Sequence, residues 1–268
     1  MSMTNQLTAF ITHKQKVLHT LKNDPIKMAE LLPVLIEKVN LDHTKSFVQA
    51  LQQPGLNIIA EIKRQSPSRG PLADIINPAE LGLIYAAAGV SAISVLTDEH
   101  FAGTFSDLQQ VATALATQRP AILCKDFIID PLQIAQAKIA GANAVLLIVA
   151  VLQERTGEFL HICHQLGLEA LVEVHNYKEL MIALEREAKI IGINNRNLED
   201  FSVNTNLALE LINYLPARII KVAESGIFTA SLAKQYQQAG FHAVLVGEAL
   251  VTAKDPSQLI KTMRGLHE

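Results

Sequence analysis

Eight short β-rich runs, each followed by an amphipathic helical pattern, dominate the chain from Leu56 onward. They fall at 57–63, 92–96, 121–125, 144–148, 170–174, 190–194, 219–223 and 243–246. Strands alternating with helices are joined by crossovers, and crossover connections make the strands parallel. Eight such units in about 210 residues predict an α/β fold, a closed (β/α)8 or TIM barrel, in preference to an open doubly wound sheet. An internal echo points the same way. Ala88-Gly89-Val90-Ser91-Ala92-Ile93, Ala140-Gly141-Ala142-Asn143-Ala144-Val145 and Ala239-Gly240-Phe241-His242-Ala243-Val244 each close a helix at Gly and open a strand, and Gly167 is a looser copy. The gaps between these glycines, 52, 26 and 73 residues, lie near two, one and three multiples of about 25. Gly just past a helix end takes the left-handed conformation at little steric cost.

Residues 1–55 read differently. Leu7, Phe10, Ile11, Val17, Leu18 and Leu21 recur at helical spacing, and Asp24-Pro25 introduces a second helix carrying Met28, Leu31, Leu32, Leu35 and Ile36. A helical N-terminal extension packed on one barrel domain, 1–268, is the expected organisation. The formal charge of −3 and the absence of any Lys/Arg run longer than Lys63-Arg64 argue against nucleic acid. The longest apolar stretch, 144–152, is far shorter than the roughly 20 residues that span a bilayer. Two cysteines without CxxC spacing and no basic-then-apolar leader make a soluble cytoplasmic protein the expectation. No dinucleotide fingerprint follows the first strand, and no GKS/GKT sequence occurs anywhere.

Period-two alternation places one set of strand residues inside a barrel, whose C-terminal mouth collects catalytic groups. Ile59, Glu61 and Lys63 then share one face, as do Leu123 with Lys125, Leu171 with Glu173, Gly192 with Asn194, and Val222 with Glu224. A single strand-end charge is ordinarily a solvated rim residue. Five strands ending in inward acid, base or amide are harder to place in that way, because unpaired buried charge costs several kcal/mol. Either they form an ion-pair network closing the barrel top, or they carry acid–base chemistry. The short loops Glu224-Ser225-Gly226 and Gly247-Glu248 follow the last two strands, where this architecture usually binds phosphate. The loop 65–71, with Ser66 and Arg69, offers further anion donors. A phosphorylated small molecule is the inferred partner. His161, Cys163 and His164 cannot converge on a metal from one helix, His175 is expected beside the mouth rather than in the chemistry, and Cys124 should face the helix layer.

Taken in order, the pieces Glu61-Ile62-Lys63-Arg64-Gln65-Ser66-Pro67-Ser68, Cys124-Lys125-Asp126-Phe127, Leu171-Val172-Glu173-Val174-His175, Asn194-Asn195-Arg196-Asn197-Leu198, Ala223-Glu224-Ser225-Gly226-Ile227 and Val246-Gly247-Glu248-Ala249-Leu250 resemble the indole-3-glycerol phosphate synthase family of tryptophan biosynthesis. The resemblance covers both barrel and extension. It implies a carboxy-lyase that closes 1-(2-carboxyphenylamino)-1-deoxyribulose 5-phosphate to indole-3-glycerol phosphate, releasing CO2 and water, with no metal or organic cofactor. On this resemblance Lys125 is the general acid and Glu173 the base. Lys63 is either the acid of dehydration or the partner of the substrate carboxylate, and the two lysines can exchange roles. Glu61 and Asn194 orient sugar hydroxyls and the lysines, with Glu224 also at the substrate. Arg196 takes the benzoate carboxylate, Phe127 and Leu147 seat the ring, and Ser66, Ser225, Gly226, Gly247 and Glu248 hold the phosphate. Some members carry Ser after Gly247; with Glu248 there, the contact must come from its backbone N–H. A monomer is implied. Two other readings stay open on the residues alone: a Schiff-base aldolase using Lys125 or Lys63, and a non-catalytic phosphate-binding barrel.

Overall fold

A computed structural model describes residues 6–37, 46–66, 69–116 and 120–266. Eight parallel strands close a barrel: β1 Asn57–Ile62, β2 Ala92–Leu96, β3 Ala121–Lys125, β4 Ala144–Ile148, β5 Glu169–Val174, β6 Ile190–Asn194, β7 Ile220–Glu224 and β8 Ala243–Val246. Each pairs with its neighbours in sequence, and β1 closes the ring against β8. All eight expected runs are strands. Three strands differ at their ends: β1 stops at Ile62, the last residue with a partner on β2; β5 begins one residue earlier, at Glu169; and β7 shifts by one to Ile220–Glu224, with Glu224 pairing with Asn194 and Leu245. Gly89, Gly141, Gly167 and Gly240 all take positive φ, so the echo in the sequence marks helix ends as expected.

Alternation splits the core in two. Ile59, Leu123, Leu146, Leu171, Val222 and Leu245 fill the barrel, while Ile58, Ala60, Ile62, Cys124, Leu147 and Val172 face the helices. Parity also separates the adjacent charges Lys63 and Arg64. The Arg64 guanidinium turns away from Lys63's partner and makes two 2.9 Å bonds to Asp107, the capping-box residue of helix Phe105–Leu115.

The extension supplies three helices, α1 Gln6–Lys22, α2 Pro25–Glu37 and α3 Phe47–Leu51, which treat the barrel in three ways. Residues 1–5 and 38–45 of the extension lie outside the described residues. α1 lies at the mouth, where Phe10 meets Phe127, Phe101, Phe201 and His100 with ring centroids 4.4–6.4 Å apart. α2 begins at Pro25, with Asp24 accepting the Ile26 and Lys27 N–H groups at 3.0 and 3.1 Å. Its Leu31 packs on Leu132 and Ala135 of helix Pro131–Ile139, so this segment covers the outer wall. α3 joins the barrel interior: Phe47 and Leu51 are fully buried with Ala92, Ala121, Ala144 and Ala243, the residues that begin their strands. Glu169, first in β5, accepts from Ser46 Oγ at 2.7 Å and from the Val48 N–H at 2.8 Å, which fixes the start of that helix.

Candidate active site

The C-terminal ends of the strands converge on a cavity lined by Glu61, Lys63, Lys125, Glu173, Asn194 and Glu224. Register sets its floor: Glu173 lies level with Ile148 and Gly192, and Asn194 level with Glu224. Glu61, Glu173, Glu224 and Asn194 are all buried there, and Lys63 and Lys125 are half-buried above them. Lys63 Nζ lies 2.7 Å from Glu61 Oε1. Lys125 Nζ sits between Glu173 Oε2 at 3.4 Å and Glu224 Oε2 at 3.5 Å. Gly192 makes room for this arrangement, since a Cβ in its place would collide with the Glu224 carboxylate.

The grouping sets the charge states. Burial favours release of the Lys125 proton, but the carboxylates of Glu173, Glu224 and Glu61 outweigh it and hold the ammonium form well above the usual lysine range. Burial likewise opposes ionisation of Glu173; Lys125 and His175 overcome it and keep that carboxyl well below the usual range. Glu224 goes the other way. Burial and the charge of Glu173 push it up to about 8, against the pull of Lys125. Two acids around one ammonium thus divide into an ionised carboxylate and a neutral carboxylic acid at pH 7.

The remaining residues sort into two walls. Ser66, Ser225, Gly226, Gly247 and Glu248 line the side formed by β7, β8 and β1. The helix Glu248–Val251 starts directly after Gly247, and the Glu248 carboxylate is drawn onto Arg69 Nη1 at 2.6 Å. Arg196 lines the cavity, with Nη1 donating to the Phe201 carbonyl at 3.1 Å, and its backbone N–H donates to Asn194 Oδ1 at 3.0 Å. The apolar wall holds Phe127, Phe101, Phe201, Leu146 and Ile148. Leu147 is not part of it. It is fully buried against the helix layer, because in a strand the residues either side of it, Leu146 and Ile148, take the inward parity. The expected ring seat therefore keeps Phe127 and replaces Leu147 with those two neighbours.

His175 joins the site indirectly: its Nε2 lies 3.2 Å from Glu173 Oε1. Cys124 faces outward, where burial pushes its thiol up to about 12, far from a reactive thiolate. His161 and His164 are exposed while Cys163 is buried, and among the described residues no group of three His, Cys, Asp or Glu side chains is arranged to hold a metal ion.

A further cluster has no counterpart among the expected site residues. Lys14 of α1 is buried, with Nζ 2.7 Å from Asp98 Oδ2 and 2.6 Å from Asp126 Oδ1. Asp98 also takes the His100 backbone and ring N–H at 2.8 Å, and Asp126 takes the Thr97 hydroxyl at 2.8 Å. Both aspartates line the cavity. Phe10, Lys14 and Leu18 are the buried residues of α1 and fall four apart, so a lysine on an otherwise apolar stripe was the signal available in the sequence.

A family model described as Indole-3-glycerol phosphate synthase matches residues 7–263, spanning extension and barrel alike. The chain belongs to the indole-3-glycerol phosphate synthase family. A relative of that name from Opitutus terrae is 42% identical over 98% of this chain and 99% of its own length. Another, from Lactiplantibacillus plantarum, is 48% identical over 82% and 84%. Among solved structures, 3-hexulose-6-phosphate synthase superposes with a TM-score of 0.64 at 17% identity, covering 80% of this chain and all of that one. Thiamine phosphate pyrophosphorylase from Pyrococcus furiosus gives 0.57 at 15% identity over 79% and 95%. These two likenesses concern the barrel fold; the family membership rests on the sequence matches.

Proposed function

We propose that this chain closes 1-(2-carboxyphenylamino)-1-deoxyribulose 5-phosphate to indole-3-glycerol phosphate, with loss of CO2 and water. The observation that carries the reading is Lys125, kept as an ammonium between Glu173 and Glu224 in a cavity with one aromatic wall and one lined by Ser66, Ser225, Gly226 and Gly247. Attack of a ring carbon on a ketone needs the ketone oxygen protonated, and Lys125 supplies that proton. Loss of CO2 restores the aromatic ring. The oxygen protonated in closure then leaves as water, while Glu173 removes a proton from the carbon next to nitrogen. The ionised state of Glu173 supports its role as base.

Lys63 either donates in dehydration or pairs with the substrate carboxylate, and Glu61, 2.7 Å away, orients it. Neutral Glu224 and Asn194 bond the sugar hydroxyls. Arg196 offers a planar fork to the benzoate carboxylate. Phe127, Leu146 and Ile148 seat the ring. The phosphate takes the Ser66 and Ser225 hydroxyls and the backbone of Gly226, Gly247 and Glu248, with Arg69 holding the Glu248 carboxylate aside. Carboxylates that hold the proton on Lys125 suit an acid and oppose the free amine a Schiff base requires. All these side chains come from one chain, and the proposed working unit is a monomer. Two buried free thiols accord with the cytoplasm as its place of action. No helix among the described residues is long and apolar enough to cross a membrane.

The test is to supply the carboxyphenylamino ketose phosphate and follow indole absorbance together with CO2. Stoichiometric appearance of both supports the reading; a ketose phosphate left unchanged by folded protein overturns it.

A further inference from the structure

Glu173 offers its two oxygens to two different cations. Oε2 faces Lys125, and Oε1 faces His175 Nε2 at 3.2 Å, a buried nitrogen with no aligned hydrogen-bond acceptor among the described residues. The other ring nitrogen, Nδ1, lies 3.1 Å from Glu179 Oε2. Glu179 is fixed in turn: the same oxygen accepts the His175 backbone N–H at 2.8 Å, and Oε1 accepts Asn176 Nδ2 at 2.6 Å. His175 and Glu179 line a second cavity, which shares Asn194 and Arg196 with the first and reaches the exposed residues Glu199 and Ser202. A carboxylate, an imidazole and a second carboxylate therefore run from that cavity to the base.

The proposed reaction creates a need for such a line. Closure takes one proton from Lys125, and dehydration then donates one proton and removes one. The carboxylate departs as CO2, so each turnover takes up one proton, while substrate fills the mouth.

We propose that Glu179 and His175 form a proton path from the second cavity to Glu173, which reloads Lys125 after ring closure. A small turn of the imidazole aligns Nε2 with Glu173 Oε1, 3.2 Å away, and its proton passes to that oxygen; Glu173 then hands a proton from Oε2 to the neutral Lys125 amine. His175 is replenished at Nδ1 from solvent by way of Glu179. Glu173 ends ionised and ready for the dehydration step; the proton it removes there returns to the group that donated in that step, so the single proton that enters through His175 balances the turnover. His175 and Glu179 are positioning and relay residues; neither touches the substrate. This rests on Glu173 being the base.

The experiment compares the intact enzyme with His175→Ala, Glu179→Gln and Glu173→Gln, measuring kcat and KM with and without added imidazole. The path predicts that His175→Ala lowers kcat by roughly a hundredfold, with KM little changed and kcat restored saturably by imidazole. Glu179→Gln should lower kcat in the same direction and enlarge the solvent deuterium isotope effect, so it reads the path even where the alanine variant fails to fold. Unchanged kcat in Glu179→Gln, or a loss in His175→Ala that imidazole leaves untouched, overturns the path. Near-normal turnover in Glu173→Gln overturns the base assignment instead.

Discussion

The two ends of the barrel solve the same closure problem in opposite ways. At the bottom, α3 inserts Phe47 and Leu51 among four strand-opening alanines, and the polar groups nearby find partners: Glu169 caps the helix, and Asn57 Nδ2 reaches the Leu51, Gln53 and His242 carbonyls at 2.9–3.0 Å. At the mouth, both Glu224 oxygens are buried without a hydrogen-bond partner among the described residues, and Lys125 stands 3.4–3.5 Å from its carboxylates rather than in close contact. Apolar packing and satisfied caps secure a fold. Buried polar and charged groups that are incompletely paired are costly, and they leave bonding capacity for a ligand. One end is built for stability and the other for chemistry.

Substitution should separate the two ends. The largest effect on folding belongs to the bottom: Phe47→Ala should cost about 3–5 kcal/mol, read as a lowered denaturation midpoint, with KM and kcat of the folded fraction unchanged. Lys14→Met comes next. It leaves Asp98 and Asp126 buried without their shared cation, a loss of about 3 kcal/mol where a buried pair is broken. Because Lys14 ties α1 to the mouth rather than to the barrel interior, that cost should emerge as faster hydrogen exchange in α1 and a raised KM, with global melting shifted less than in Phe47→Ala. Equal melting shifts and an unchanged KM would show that α1 belongs to the fold rather than to the site.

The smallest effect concerns pH. Glu224 is raised to about 8, so its neutral form persists below that value and is lost as pH rises through it. An alkaline fall in kcat/KM near pH 8 should accompany its ionisation, and Glu224→Gln, which cannot ionise, should move that fall upward even as it lowers the plateau. An unmoved alkaline limb would assign it to another group.

The barrel was legible because a period-two alternation and a repeating helix-ending glycine are local signals, each visible in a few residues. The same parity rule places Glu61, Lys63, Lys125, Glu173, Asn194 and Glu224 at the mouth. It also contains the one misplacement: Leu147 lies between two inward residues and cannot join them. The Lys14–Asp98–Asp126 cluster was less accessible, since it joins α1 to segments more than 80 residues away and depends on how the extension docks. The division of α1, α2 and α3 among mouth, wall and bottom has the same long-range origin. The asymmetry between Glu173 and Glu224 also escapes a strand-end rule; it arises from distances to Lys125 and His175 that only the folded chain defines.

Lys125 carries the most direct test. Turnover of the carboxyphenylamino ketose phosphate and its binding should be measured side by side in Lys125→Ala. A loss of about a thousandfold or more in kcat, with the dissociation constant changed only severalfold in protein shown to be folded, is the predicted result. Turnover close to normal in the folded variant would contradict the central claim that this ammonium is the acid of ring closure.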